Sequence, residues 1–446
     1  MPRSHRPETR TPLLDAYFSR LPHAPVLRWR GRVHEASGQT IESIGPPCSL
    51  GECCEIVDGA GTRHLAEVIG FRGQSVVSMT VESPDGVRFG DDISSLGASP
   101  SLEVGDLLVG RVLDAMGSPI DRLGGLGRTT AIPLSSKVPA PLDRQPIRTP
   151  IGTGIRALDG LLTVGRGQRV GIFGGSGVGK STLIGMMTRN SEAEIIVVGL
   201  VGERGREVGE FLDDSLGPAG RRRAVVITST SDQSPILRMR AALAATSVAE
   251  YFAGQGKHVL LVLDSLTRFA MAAREVGLAA GEPPTAKGYT PSVFHKLAHL
   301  IERAGQFTTG SITAFYTVLM EGDDQQDPLV DAVRALLDGH LVLSRNLTSE
   351  GWYPPIEVLD SVSRLMPSVA SQEHRLASAA VRRMLAVYAR SEDLIRIGAY
   401  KQGADVTLDL AIATRPQVRS YLMQDATERV SFSSAVERLI TLAASL

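Results

Sequence analysis

The sequence contains few cysteines and few aromatic residues. Its 446 residues include 3 cysteines, Cys48, Cys53 and Cys54, and aromatic side chains make up 5%. An odd, clustered set of cysteines does not make a disulfide framework, so we expect free thiols, which suit a reducing cytosol. The formal net charge is only -1, which argues against a protein whose whole surface binds nucleic acid. We therefore expect no nucleic-acid partner.

Long hydrophobic runs are also missing from the sequence. The longest apolar stretches, such as Val259–Leu263, are far too short to span a bilayer. Residues Met1–Thr11 are polar and basic, with no apolar run behind them, which is not the pattern of a secretory signal. We expect a soluble, cytoplasmic protein that reaches a membrane only through a partner.

The first half of the chain divides into segments of different pattern. Within residues 1–24, apolar residues from Leu13 to Leu21 fall at helical spacing, which predicts an amphipathic helix. This helix either packs on the next domain or docks a partner. In residues 25–95, short apolar segments such as Gln74–Val81 and Gly86–Phe89 alternate with turn residues. That alternation predicts a small N-terminal β-barrel domain.

The second half of the chain shows two further patterns. Residues 96–150 are rich in proline and glycine, and in residues 151–370 buried-strand runs alternate with helical stretches. We therefore predict one α/β domain over residues 96–370, with a mostly parallel sheet covered by helices on both faces. Within residues 371–446, Ser371–Ala389 and Ala435–Leu446 are Ala/Leu-rich at helical spacing, which predicts a C-terminal helical domain.

A glycine-rich loop in the α/β region matches the pattern G-x-x-x-x-G-K-[ST] over residues 174–181. The apolar run Arg169–Phe173 precedes it and a helical stretch follows, which is the context that a phosphate-binding loop requires. Glycines allow backbone N–H groups to surround the phosphates, while Lys180 supplies positive charge and Ser181 a hydroxyl for Mg²⁺. The predicted ATP-binding residues of this loop are Gly174, Gly175, Ser176, Gly177, Val178, Gly179, Lys180, Ser181 and Thr182.

Carboxylates at two other strand ends complete a predicted nucleotide site. Asp264 ends the apolar run Val259–Leu263, the position from which an aspartate holds Mg²⁺. Ser265 follows it, so the base that orients the attacking water must come from elsewhere. Glu203 follows the strand Glu194–Val201 and is the predicted catalytic carboxylate, since ligands of open sheets bind at carboxyl ends of strands. Arg204 is predicted to neutralise phosphate charge, and Glu207 to contact the metal's water shell.

Residues from 148 to about 366 resemble the rotary ATPase alpha/beta-subunit family, most of all its flagellum-specific type III secretion export ATPases and next the injectisome ATPases. The resemblance is carried by Gly165–Phe173, the phosphate loop, Val201–Val208, Leu263–Ala270, Gly281–Pro284, Gly288–Phe294, Glu302–Gly305, Glu321–Asp324 and Tyr353–Arg364. The resemblance implies a RecA-like P-loop ATPase core with an N-terminal β-barrel and a C-terminal helical domain.

The family resemblance also implies roles and partners. Glu203 falls on the catalytic glutamate, Arg204 on a γ-phosphate contact and Glu207 on an outer-shell metal contact. Tyr353 falls on the aromatic residue that stacks on adenine, and Arg364 on the arginine finger inserted by a neighbouring subunit. Because one chain carries both halves of the site, the resemblance implies a homo-hexamer.

The implied partners are those of an export machine. They are a stator-like regulatory protein at the N-terminal segment, a coiled-coil central stalk protein, membrane proteins of the export gate and chaperone–cargo complexes. The implied place is the inner face of the cytoplasmic membrane, and the implied activity is ATP hydrolysis that releases chaperones and promotes export of flagellar subunits. The alternatives are an injectisome ATPase, a catalytic subunit of a proton-translocating ATP synthase and an RNA translocase.

Overall fold

The computed structural model describes residues 29–320 and 327–446. The predicted amphipathic helix within residues 1–24 lies outside these residues, as do residues 321–326. No helix of the described ranges is long and apolar enough to cross a membrane.

Six strands near the N-terminus close into a barrel, which confirms the predicted N-terminal barrel. Its order is β1-β2-β5-β4-β3-β6, and alternate residues such as Val33, Ile41 and Ile56 fill the interior. The predicted strand Gly86–Phe89 is wrong, because these residues form turns in which Gly86 has φ +97°. The strands are β1 Arg30–Ser37, β2 Thr40–Ile44, β3 Cys53–Val57, β4 Arg63–Arg72, β5 Ser75–Thr80 and β6 Asp92–Ser95.

A large sheet forms the centre of the second domain, in the order β17-β16-β10-β15-β13-β11-β12-β8, with β14 paired to β15. The strands from β16 to β8 in this order are parallel, whereas β17 is antiparallel to β16. The strands are β8 Val112–Asp114, β10 Arg169–Gly174, β11 Ile195–Glu203, β12 Ala224–Thr230, β13 His258–Asp264, β14 Gly305–Gln306, β15 Ser311–Leu319, β16 Gly339–Leu343 and β17 Ile356–Ser363. A separate pair joins β7 Ser101–Val104 to β9 Thr130–Pro133.

Helices cover both faces of the sheet, because its central strands are apolar runs that need burial on each side. One face packs against Pro235–Gly254, Leu266–Ala279 and Pro291–Ile301, and the other against the helix that follows the phosphate loop. Other α-helices of this domain are Arg156–Leu161, Gly205–Glu210, Gly217–Arg221, Pro328–Leu336, Arg345–Ser349 and Met366–Val369, with a π-helical turn at Phe211–Leu216.

The C-terminal region is helical, as predicted, with helices Gln372–Arg396, Val406–Leu422 and Phe432–Ala443. Two buried side chains attach it to the nucleotide domain. Arg156 donates from Nε to the carbonyl of Tyr421 at 2.8 Å. Gln424 accepts from the Arg156 backbone N–H at 2.9 Å and donates to the Gly154 carbonyl at 2.8 Å. These contacts fix the turn after Leu422 beside the start of the helix Arg156–Leu161.

Candidate active site

The phosphate loop joins the end of β10 to the helix Lys180–Asn190. Gly177 and Gly179 have φ of +78° and +93°, which side-chain-bearing residues rarely adopt, so these two positions require glycine. The loop curls around Lys180, whose Nζ donates to the carbonyls of Gly174 at 2.9 Å and Gly175 at 2.6 Å. The sequence therefore builds the predicted cradle with its amine at the centre.

Burial and two carboxylates act in opposite directions on the pKa of Lys180. Burial lowers the pKa of Lys180, whereas the negative charges of Asp264 and Glu203 raise it. An ammonium with this environment attracts a polyanion strongly, because few water molecules screen it.

Asp264 ends β13 and is buried at 7% exposure. Its Oδ1 accepts a hydrogen bond from Thr317 Oγ1 at 2.6 Å, which orients the carboxylate. Burial raises the pKa of Asp264, and the Thr317 bond and the charge of Lys180 oppose that rise. Sequence reasoning did not single out Thr317, whose position on the neighbouring strand β15 becomes visible only in the register of the sheet.

Glu203 lies at the end of β11 and shares its surroundings with two other charged residues. Burial raises the pKa of Glu203, and the negative charge of Asp264 and a side-chain hydrogen bond with Glu207 act in the same direction. That hydrogen bond lowers the pKa of Glu207. Of these two carboxyls, the one with the higher pKa is therefore Glu203, the more buried partner.

Arg268 is a residue of this site that sequence reasoning missed. Its Nε lies 3.6 Å from Oε1 of Glu203, longer than a hydrogen bond, and that buried nitrogen has no hydrogen-bond partner. Arg268 stands in the first turn of the helix Leu266–Ala279 that follows Asp264. The signal available in the sequence was its position four residues after the magnesium-type aspartate.

A cleft of about 340 Å³ brings five of the predicted site residues together. Its lining includes Ser181, Thr182, Glu203, Glu207 and Asp264. A hydroxyl and carboxylates are the oxygen donors that Mg²⁺ prefers, and Mg²⁺ at nucleotide sites takes only one or two protein carboxylates beside phosphate. The donor set therefore fits a magnesium–nucleotide complex.

Tyr353 lies against the phosphate loop from the other side. Its hydroxyl donates to the carbonyl of Gly179 at 3.3 Å, and a Cβ at Gly179 would stand only 3.0 Å from its ring. The backbone N–H of Gln424 donates to the Tyr353 carbonyl at 2.8 Å. The aromatic ring is therefore positioned jointly by the loop and by the C-terminal helical domain.

Arg204 and Arg364 are predicted site residues that do not line this cleft. The Arg204 side chain is 78% exposed and stands 3.8 Å from Glu207. Arg364 follows β17, and its backbone N–H donates to the carbonyl of Asp338. The backbone N–H of Asp338 in turn donates to the carbonyl of Arg169. Arg364 is therefore level with the first residue of β10, five residues before the phosphate loop begins. At 3.3 Å per residue, that separation is about 16 Å. Arg364 therefore lies where the parallel strands begin, whereas the phosphate loop lies where they end.

Comparison with known proteins identifies the family of this chain. The nucleotide-binding domain of the ATP synthase alpha/beta family matches residues 154–363, and the C-terminal domain of the type III secretion ATPase EscN matches residues 370–441. The flagellum-specific ATP synthase of Treponema pallidum is 50% identical over 435 residues, which cover 96% of each chain. The chain belongs to the ATP synthase alpha/beta family.

Solved structures place this family member beside type III secretion ATPases. The assembled EscN of enteropathogenic E. coli has a TM-score of 0.88 and 42% identity, covering 93% of this chain and 100% of that one. EscN in complex with its central stalk EscO has a TM-score of 0.85 at the same identity and coverage. As a member of the family, the chain binds and hydrolyses ATP as a P-loop ATPase.

Proposed function

We propose that the chain is the ATPase of a flagellar type III export apparatus. In this function it forms a homo-hexameric ring whose ATP hydrolysis releases chaperones and promotes export of flagellar subunits. Near-full-length similarity to a flagellum-specific ATP synthase supports the flagellar branch.

The observation that supports a ring assembly is the position of Arg364. Within one chain, this arginine lies about 16 Å from its own phosphate loop along the strand direction, a distance greater than an arginine side chain spans. A neighbouring copy that presents Arg364 to the cleft completes the site, and a repeated head-to-tail contact of this kind closes into a ring. EscN, a homologue of similar fold, is described as an assembled ATPase.

The predicted site residues divide the chemistry among them. Lys180 and Arg204 neutralise phosphate charge, Glu203 orients the attacking water, and Tyr353 stacks on adenine. Ser181, Asp264 and Glu207 would hold Mg²⁺ directly or through its water shell, where the ion would supply positive charge beside the phosphates. The partner's Arg364 stabilises charge that develops in the transition state. Glu203 accepts a proton from water only in its ionised form, and burial raises the pKa above which that form prevails.

The proposed partners are those that the family resemblance implies. A coiled-coil stalk occupies the ring centre, and EscN has a structure in complex with its central stalk EscO. A stator-like protein docks on the N-terminal segment, chaperone–cargo complexes deliver substrates, and gate proteins hold the ring at the inner face of the cytoplasmic membrane.

A second candidate is an injectisome ATPase. The likeness to EscN over 93% of this chain favours it, and its hydrolytic chemistry is the same. The two candidates differ in the cargo they serve.

Genetic complementation separates these functions. The full chain is expressed in cells that lack their flagellar export ATPase, and in parallel in cells that lack their injectisome ATPase, and secreted subunits are measured. We expect recovery of flagellar subunit export, none from the Glu203→Gln chain at equal expression, and none of injectisome cargo. Recovery of injectisome cargo alone would move the chain to the second candidate. Recovery of neither, with hydrolysis intact in vitro, would contradict an export function.

A further inference from the structure

A second polar cleft, of about 350 Å³, lies between the nucleotide domain and the C-terminal helical domain. Its lining includes Arg189, Glu192 and Arg223 from the nucleotide domain and Arg429 with the adjoining residues 430–432 from the C-terminal domain. None of its lining residues lines the cleft that holds Glu203 and Asp264. Arg189 lies nine residues beyond Lys180 on one helix, about 13 Å along its axis.

Backbone carbonyls fix two of the three arginines in place. Arg223 donates from Nη1 to the Arg189 carbonyl at 3.3 Å, and from Nη2 to the carbonyls of Ser191 at 3.0 Å and Ala193 at 2.5 Å. Arg189 donates from Nη2 to the Ala426 carbonyl at 2.7 Å. Carbonyls carry no formal charge, so these bonds orient the guanidinium groups without neutralising them.

The charge of this cleft is unbalanced. Three arginines face one carboxylate, Glu192, among its described lining residues, which leaves a formal charge of about +2. Glu192 accepts the Gly152 backbone N–H at 3.1 Å. Among the described residues, no ion pair within 4.0 Å joins Glu192 to any of these arginines. Burial lowers the pKa of Arg189, the phenol of Tyr353 opposes that effect, and the positive charge of Arg429 adds to it.

We propose that this cleft binds a small phosphate-bearing anion, bridged by Arg189, Arg223 and Arg429. Phosphate oxygens match guanidinium groups in charge and in the fork geometry of their N–H donors. Because Arg429 belongs to the C-terminal domain and the other two to the nucleotide domain, the anion holds the two domains together. The site is distinct from the one that hydrolyses ATP, and the inference does not depend on the proposed export function.

The test measures pyrophosphate binding by titration calorimetry on the full chain. Lys180→Ala serves as the background, since it weakens the competing phosphate loop. Arg429→Ala is added because, among the described residues, no backbone carbonyl accepts a hydrogen bond from this exposed side chain. Arg222→Ala is the matched control, an exposed arginine outside the cleft. Removing a charge-assisted hydrogen bond to an anion should weaken pyrophosphate binding about tenfold or more. Arg222→Ala should leave it unchanged.

Glu192→Gln is a variant with the opposite expected effect on pyrophosphate affinity. It removes the cleft's carboxylate charge and keeps an oxygen to accept the Gly152 N–H, so pyrophosphate should bind more tightly. Weaker binding in Arg429→Ala together with tighter binding in Glu192→Gln supports the site. Equal effects of Arg429→Ala and Arg222→Ala, or no pyrophosphate binding in the Lys180→Ala background, would overturn it.

Discussion

Two inactive variants should restore each other if the active site is shared between copies of the chain. Lys180→Ala removes the amine at the centre of the phosphate loop, and Arg364→Ala removes the arginine at the opposite end of the strands. Each variant alone lacks one part of every site. In an isolated chain Arg364 is about 16 Å from the loop along the strands, so no movement of its side chain repairs a site within one subunit.

The expected recovery follows from random assembly. In a ring built from equal amounts of both variants, a site is complete when its loop comes from the Arg364→Ala chain and its neighbour is the Lys180→Ala chain. The chance is one half times one half, so about a quarter of the sites should hydrolyse ATP. The assay is phosphate release after the two chains are mixed and reassembled, and the expected rate is about a quarter of the wild-type rate.

A matched mixture tests the same reasoning from the other side. Lys180→Ala mixed with Glu203→Gln should give no recovery, because Lys180 and Glu203 act on each other within one chain and no site regains both. Failure of the first mixture to recover, with rings formed normally, would refute a trans-acting Arg364. Similar recovery in both mixtures would point to an artefact of mixing and would refute it equally.

Three further predictions concern single side chains. Glu203→Gln should abolish turnover yet retain ATP binding. Because burial raises the pKa of Glu203, the kcat of the wild-type chain should fall as the pH drops through that raised pKa. A wild-type kcat that does not change with pH in a phosphate-release assay would contradict this. Tyr353→Ala should raise KM for ATP about tenfold or more through lost base stacking, whereas Tyr353→Phe should stay near wild type in steady-state kinetics because its hydroxyl bond is long at 3.3 Å. Arg303 is 0% exposed, and its Nε donates a hydrogen bond to Glu250 at 2.7 Å, so Arg303→Met should lower the free energy of unfolding by about 3–5 kcal/mol. Adding Glu250→Gln should restore part of that loss. A loss below about 1 kcal/mol in denaturant titration would refute the prediction.

Much of the fold follows from local pattern in the sequence. Apolar runs ending in glycine or a carboxylate predicted the central strands, and the structure has strands at Arg169–Gly174 and His258–Asp264. Those runs are informative because strands buried on both faces must be apolar throughout. The segment Gly86–Phe89 failed because its valine and phenylalanine suggested a strand, whereas two glycines with positive φ turn the chain there.

Other features depend on pairings that no local pattern contains. The strand Val112–Asp114 has three residues, too few for any period, and it exists because it pairs with β12 at the sheet edge. The approach of Arg268 to Glu203 and of Arg429 to Arg189 joins residues far apart in sequence. Only the assembled sheet and the docked C-terminal helices bring such side chains together.

The most direct test of a site shared between subunits is the rate of ATP hydrolysis per chain as a function of protein concentration. We predict a cooperative rise from near zero in dilute solution to a plateau, following ring formation measured in the same samples by light scattering, and no effect of added single-stranded RNA. Hydrolysis per chain that is constant from the monomeric range upward would contradict a composite site completed by a neighbour's Arg364.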